Sequence, residues 1–382
     1  MSDAVGSNEP AHADGKVNLL IVASSLWIGG AEMVMRHLAE TIDRSRFRVA
    51  VYCVKERGQI GDEMARAGIE MLGATGSGKP EVSYLSFTRL LKVIRERRID
   101  VIHTHTVDGL VDGAFCRLLM PRLRLVHTFH FGNYPHMYRH FLWMERIFSR
   151  CADRLLSVGE VQQRQIRRAL RLSGAAMRTI YNGVPLGALP ADTSFKSSIG
   201  AEGRVLIGTI ATLIPQKGLF DLLNVARRVV DAGHHVTFAI VGEGRLRPVL
   251  EARRHELGLD DTVVLTGWVT GASEVALPAF DVFFQPSLWE AMSIVILEAM
   301  AAGKAVVATK VGENGHIIED GVSGLLVDRG DVDGMAAALG RVIADPEFRA
   351  GLGRAARARV EQRFTVAQMT RAYEQLYLDT LR

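Results

Sequence analysis

The strongest constraint on this chain is a rhythm that runs twice: short apolar runs alternating with stretches of helical spacing. Val17–Ala23 (VNLLIVA), Arg48–Val54, Val101–Thr104 and Arg124–Thr128 are apolar or β-branched runs. Helical patterns such as Ala31–Ile42 and Leu85–Arg97 lie among them. The rhythm restarts with Val205–Ile210, Val236–Val241, Thr262–Leu265, Val282–Gln285 and Ala305–Ala308. Such alternation argues for parallel sheets with helices on both faces. Tyr181–Ser198, rich in Gly, Pro and Ser and without a period, reads as the break between the blocks. The expectation is an α/β protein of two doubly wound, Rossmann-like domains, residues 17–185 and 186–362. A polar tail, 1–16, precedes them, and a helix within 363–382 follows that could cross back to the first domain. A length of 382 residues, 48% of them hydrophobic, allows two cores. Ligands are expected beyond the carboxyl ends of the strands, in a cleft between the domains.

Bulk features narrow the setting. No run of about 18 apolar residues is present, so no spanning helix is expected. MSDAVGSNEPAHADGK lacks an apolar signal core and reads as a disordered tail. Cys53, Cys116 and Cys151 are far apart and form no CxxC, which suits a reduced, cytoplasmic chain. Charge is uneven. Residues 1–185 hold 26 Lys and Arg against 18 Asp and Glu, whereas the remainder holds 20 against 24. A basic half suits nucleic acid, an anionic membrane surface or a phosphorylated ligand, or is simply a solvated face.

Several motifs carry candidate chemistry. Gly73–Pro80 (GATGSGKP) nearly matches a phosphate loop, but Pro80 stands where a Ser or Thr is needed. Ser24–Glu32 (SSLWIGGAE) turns from strand to helix, and Gly29 and Gly30 let backbone approach a ligand. His103, His105, His127 and His130 cluster after two strands. They read as structural or hydrogen-bonding groups, with His130 placed to meet substrate, rather than as a metal site. Ala211–Gly218 (ATLIPQKG) offers Lys217 at a helix mouth, and Val241–Gly244 follows the next strand.

Ser287–Met300 (SLWEAMSIVILEAM) sets Glu290 and Glu298 in an apolar run. On one continuous helix they would sit roughly 80° apart, a poor pair. Ser293 is a good N-cap and Gly303 a good C′ residue. The helix is therefore expected from about Ile294 to Ala302, with Glu290 in the loop before it and Glu298 just over one turn inside. The N–H groups of residues 293–296 would face an anion there.

Taken together these residues resemble the retaining glycosyltransferases of family 4, which have the GT-B architecture. The resemblance spans most of residues 17–375. Its most specific part is Glu290-x7-Glu298, with Pro286-Ser287 before it and Ala299–Gly303 after it. Gly29–Glu32, Val101–His105, Val126–His130, Tyr181–Val184, Lys217-Gly218, Val241–Gly244 and Gly321–Val327 follow in family order. The resemblance implies a nucleotide-diphosphate sugar donor on the C-terminal domain and a glycan or polyprenyl-linked acceptor on the N-terminal one. It implies retained configuration, no metal and no resident cofactor, and no nucleic-acid partner. It places Glu290 and His130 at the transferred sugar and Glu298 on the donor ribose. Lys217 and the backbone of Ser293, Ile294 and Val295 would hold the diphosphate, and Gly29-Gly30 would approach phosphate or acceptor.

The sequence departs from the family pattern in places. Thr212 stands where an Arg is usual, and Arg245 is a candidate replacement. His316 stands where a Glu is common, and Ala305 follows Lys304 where Pro is common. Cell-surface polysaccharide or glycolipid synthesis is the expected setting, with peripheral attachment at the inner face of the cell membrane. Basic Leu85–Arg98 and aromatic Phe131–Trp143 motivate the attachment. The rival expectation is a GT-B protein that binds nucleotide or glycan without catalysis, and a third is a His-metal hydrolase.

Overall fold

The computed structural model describes residue 12 and residues 14–27, 29–74, 86–134, 139–172, 177–187 and 194–382. Most of the tail 1–16, most of the near-match to a phosphate loop, and part of the 181–198 linker lie outside these residues. The chain divides into two compact units. The first runs to Gly183 and includes Val366–Arg382; the second is Val184–Thr365.

The first unit carries β1 (Val17–Ser25), β2 (Phe47–Glu56), β3 (Glu70–Gly73), β4 (Val101–Thr104), β5 (Arg124–Phe129), β6 (Arg154–Ser157) and β7 (Met177–Thr179). They form one parallel sheet in the order β3-β2-β1-β4-β5-β6-β7. The second unit carries β8 (Val205–Ile210), β9 (Val236–Val241), β10 (Val263–Gly267), β11 (Val282–Gln285), β12 (Ala305–Thr309) and β13 (Leu325–Val327). These are also parallel, in the order β10-β9-β8-β11-β12-β13. Each sheet reverses its winding once, between β1 and β4 and between β8 and β11. Ligands of open α/β sheets bind at such switch points.

The central strands are buried along most of their length, since helices cover both faces. In the second unit Phe238, Ile240 and Phe284 pack with Leu222, Val225 and Leu339 from the helices. In the first, Leu20, Val22 and Ile102 pack with Leu90, Leu110 and Leu125. Four strands have no counterpart in the sequence reading: β3, β6, β7 and β13. Three of them are sheet edges of three or four residues, and β6 offers only Leu155 and Leu156 as apolar signal. Such short runs carry too few residues to show a period.

The helix Val366–Leu381 belongs to the first unit. It lies against the helix Gly30–Thr41, where the hydroxyls of Thr41 and Thr370 meet at 2.6 Å and the Asp43 N–H donates to Glu374 Oε1 at 2.7 Å. Tyr373 and Tyr377 are fully buried there. In the second unit, Val184 N–H donates to Phe364 O at 2.9 Å, so the segments entering and leaving that unit run side by side. Replacing Tyr373 by Ala should cost about 3 kcal/mol of stability by emptying a filled site. Urea unfolding measures this, and a loss below about 1 kcal/mol would mean that the site collapses without a cavity.

Candidate active site

At the switch point of the second unit, the loops after β8 and β11 meet. Gly218 closes a 3-10 turn, Pro215–Lys217, in the left-handed region at φ 64°. A Cβ at Gly218 would sit 1.9 Å from Pro286 O, so only glycine lets the two loops touch. Leu288 N–H donates to Gln216 O at 2.8 Å, and Gln216 Nε2 donates to Trp289 O at 3.1 Å. The contact delivers Lys217 Nζ to Glu290 Oε1 at 2.7 Å.

Glu290 is only 6% exposed. Its Oε1 also accepts from Gln285 Nε2 and Ser287 Oγ, each at 2.8 Å, and Gln216 Nε2 reaches Oε2 at 3.4 Å. A buried carboxylate needs such partners. From the other side Gly312, at φ 51°, passes so close that a Cβ would lie 2.1 Å from Glu290 O. Thr309 Oγ1 donates to Ser287 O at 2.6 Å. The loop that presents Glu290 is thus tied on every flank.

The helix that follows is Ile294–Ala301, with Ser293 as N-cap and Gly303 beyond its end at φ 70°. Ser293 Oγ accepts from Ile296 N–H at 3.4 Å and donates to Gln285 Oε1 at 3.0 Å. Gln285 therefore couples the helix cap to Glu290. Ile296 takes the cap, while the N–H groups of Ile294 and Val295 have no intrahelical acceptor, the arrangement in which a helix start can meet an anion.

Glu298 lies on the second turn and accepts from Ser273 Oγ at 2.6 Å. Burial pushes its pKa up to about 7, partly offset by the Ser273 bond, and the nearby Glu274 raises it further. The two glutamates thus occupy separate environments: one locked in an ion pair, the other near its titration point.

Thr212 is exposed and uses its carbonyl to hold Ile214 N–H at 2.8 Å. Its loop is joined to the next one by Leu213 N–H to Glu243 O at 2.9 Å and Leu246 N–H to Leu213 O at 3.1 Å. Arg245 lies on that second loop, exposed and without an ion pair among the described residues, whereas Arg247 is held by Glu243 and Glu251. His316 Nε2 meets Arg363 Nη2 at 3.1 Å.

In the first unit Gly29 caps the helix Gly30–Thr41 in extended conformation with no side-chain cap. The carboxylate of Glu32 folds back onto it, within 2.4 Å of where a Gly29 Cβ would be. The helix mouth thus already holds an anion of its own. Burial raises the Glu32 pKa, and a bond to its own backbone N–H lowers it.

The four histidines are spent on one another and on hydroxyls. His103 meets Tyr377 OH at 2.7 Å and Thr128 Oγ1 at 2.8 Å. His127 meets Thr104 Oγ1 at 2.8 Å, and His130 Nε2 meets His105 Nδ1 at 2.8 Å. Burial pushes His127 down to about 3 and His130 down to about 4, with His103 and His105 well below the usual range. His130 is therefore neutral at physiological pH and offers hydrogen bonds rather than charge. Gln285, Gln216 and Ser273 were not singled out from the sequence, and Ser287 only as a residue flanking the Glu290-x7-Glu298 element. Gln285-Pro-Ser287 at a strand end was the one available signal, a polar pair in an otherwise apolar run.

The raised pKa of Glu298 has a consequence for stability. The folded protein holds its proton more tightly than the unfolded chain, whose value is near 4.5. Stability therefore falls as pH rises from about 4.5 to about 7 and levels off above. Glu298→Gln lacks this slope. Its stability relative to the parent should improve by at most about 3 kcal/mol across that window. Denaturant melts at a series of pH values test this, and a constant difference would contradict it.

Comparison with known proteins gives a consistent result. Residues 28–187 match Glycosyltransferase Family 4, and residues 204–345 match Glycosyl transferases group 1. The chain is 31% identical to the phosphatidyl-myo-inositol mannosyltransferase of Mycolicibacterium smegmatis over 75% of its own length and 74% of the relative's. It is 24% identical to the UDP-Gal:alpha-D-GlcNAc-diphosphoundecaprenol alpha-1,3-galactosyltransferase of Escherichia coli, over 77% and 79% respectively. In fold it is similar to HepE of Anabaena in complex with UDP and glucose, with a TM-score of 0.84, 23% identity, and coverage of 95% of this chain and 100% of that one. Sucrose-phosphate synthase of Thermosynechococcus elongatus aligns with a TM-score of 0.81 and 19% identity, over 95% and 99% of the two chains. Paired Rossmann-like sheets are the GT-B architecture, and the chain belongs to the family 4 glycosyltransferases.

Proposed function

We propose that this transferase takes a sugar from a uridine diphosphate donor and passes it, with retained configuration and without a metal, to a lipid-linked or glycan acceptor. The observation that carries this reading is the meeting of Lys217 and Glu290 at the second unit's switch point, beside the mouth of the helix Ile294–Ala301. Departure of a nucleoside diphosphate builds negative charge on the leaving oxygen. Lys217 and the N–H groups of Ser293, Ile294 and Val295 meet that charge in place of a metal ion. Arg245 supplies the further charge that Thr212 does not. Glu298, ionised, accepts the ribose hydroxyls.

Glu290 faces the transferred sugar. As the glycosidic bond breaks, the ring becomes oxocarbenium-like, and a fixed carboxylate stabilises it. Held by four donors, Glu290 acts by orientation. The acceptor oxygen enters on the face that the phosphate leaves, and its proton passes to the departing phosphate oxygen. That course retains configuration without a covalent enzyme intermediate. In the first unit His130, kept neutral, has a hydrogen bond to offer a sugar hydroxyl. The uridine is supported by the HepE complex with UDP, and the lipid-linked acceptor by the diphosphoundecaprenol and phosphatidylinositol named for two relatives.

Transfer should be found in a panel of nucleotide sugars with lipid-linked acceptors, unchanged by chelator and with retained anomeric configuration by proton NMR. Lys217→Ala or Glu290→Gln should lower kcat roughly 100-fold. An inverted product refutes retention, and donor binding without turnover across the panel would make the chain a silent binding protein.

The acceptor's lipid suggests a membrane surface. No helix among the described residues is long and apolar enough to cross a membrane. Two neighbouring helices, Val107–Leu119 and Arg139–Phe148, expose Leu118 (65%), Leu119 (56%) and Trp143 (63%), with exposed Arg122, Arg139 and Arg150 close in sequence. Apolar anchors among cations suit an anionic bilayer. The protein should float with anionic liposomes and Trp143→Glu should float less; equal recovery in the unbound fraction with and without anionic lipid would refute attachment.

A further inference from the structure

His105 has no part in the scheme above, yet it is the residue that holds His130. It is 4% exposed, and its ring meets that of His130 edge to edge and nearly coplanar, at 5.1 Å between centroids and 21° between planes. Its Nδ1 lies 2.8 Å from His130 Nε2. Its Nε2 is buried with no hydrogen-bond partner. His103 packs against the His105 ring at 4.0 Å between centroids, tilted by 44°. His103 is fixed at both nitrogens, by Thr128 and by Tyr377 of the helix Val366–Leu381. Burial, the His130 hydrogen bond and the fixed His103 ring together leave the His105 ring little freedom to turn.

Two neutral rings share one proton across the 2.8 Å contact, so one nitrogen donates and the other accepts. Suppose His130 Nε2 donated. His105 would then carry its own proton on Nε2, a buried N–H with no acceptor. Suppose instead that His105 Nδ1 donates. Its Nε2 is then a bare lone pair. Buried N–H groups without acceptors are the rarer and costlier case. The second arrangement puts the His130 proton on Nδ1. His130 is partly buried, and its Nδ1 has no hydrogen-bond partner among the described residues.

We propose that His105 is a positioning residue for His130: it donates to His130 Nε2 and so holds His130 as the Nδ1–H tautomer, with a donor turned out for a sugar hydroxyl. The sugar end of this statement rests on the proposed function; the tautomer does not. The full chain, labelled with 15N-histidine, gives the tautomer from long-range nitrogen–proton correlations in the free protein. The expected result is a protonated Nδ1 and a bare Nε2 on His130. His105→Asn keeps an N–H near the Nδ1 position. It should keep the tautomer and most of kcat, and it controls for folding. His105→Phe removes the donor. It should mix the tautomers and lower kcat about 10-fold, with KM for the donor within about 2-fold.

A wild-type His130 protonated on Nε2 overturns the proposal, as does wild-type kcat in His105→Phe. A wild-type protein that shows the Nδ1–H signature but transfers no sugar would refute the proposed function and leave the histidine pairing standing.

Discussion

The Lys217–Glu290 ion pair is the contact around which the second unit's functional end is arranged. It is a costly thing to build, because both charges leave water. The structure offsets that cost with hydrogen bonds. Gln285, Ser287 and Gln216 add donors to the carboxylate, and Gly218 lets the loop carrying Lys217 press against Pro286. Gln285 extends the network to Ser293 and so to the start of the helix that forms the anion mouth. Cation, carboxylate and helix dipole are thereby fixed relative to one another. A site that must meet charge as it develops gains from such prior alignment, because nothing has to reorganise when the bond breaks.

Much of this was readable from residue order. The apolar runs located nine of the thirteen strands among the described residues, and the Ser293 cap with Gly303 located the helix that begins between the two glutamates. Both signals are local: a run of burial, a side chain reaching its own backbone. The remainder was out of reach because it is made by meetings across the fold. Nothing near Glu290 in sequence announces Lys217, which lies 73 positions away. Glu298 titrates high chiefly because the fold buries it; Glu274 adds to the rise and the Ser273 hydrogen bond offsets part of it, and both residues come from the stretch after β10, far from Glu298 in sequence. The histidines showed their spacing but not their partners. HxH and HxxH suggest ligands on paper, whereas the folded chain assigns their nitrogens to Thr104, Thr128, Tyr377 and each other.

The first unit achieves its order by a different means. His130 is uncharged and is held through hydrogen-bonded and packed rings, where the second unit relies on paired charge. Packed aromatic and imidazole rings hold orientation through shape and hydrogen bonds, and they do so without the desolvation cost of ions. The contrast matches the tasks assigned: a leaving diphosphate calls for charge, a sugar hydroxyl for a directed donor.

The helix Val366–Leu381 has a consequence for how the protein is made. It supplies Tyr373 and Tyr377 to the first unit's interior, but it follows the whole of the second unit in the chain. During synthesis the second unit is continuous and can close as soon as it has emerged. The first unit must wait with His103 facing an unfilled space until residues 366–382 arrive. The His103–Tyr377 contact thus forms only after the second unit has been made, and a chain cut short before Val366 would have a complete second unit but a first unit lacking Tyr373 and Tyr377.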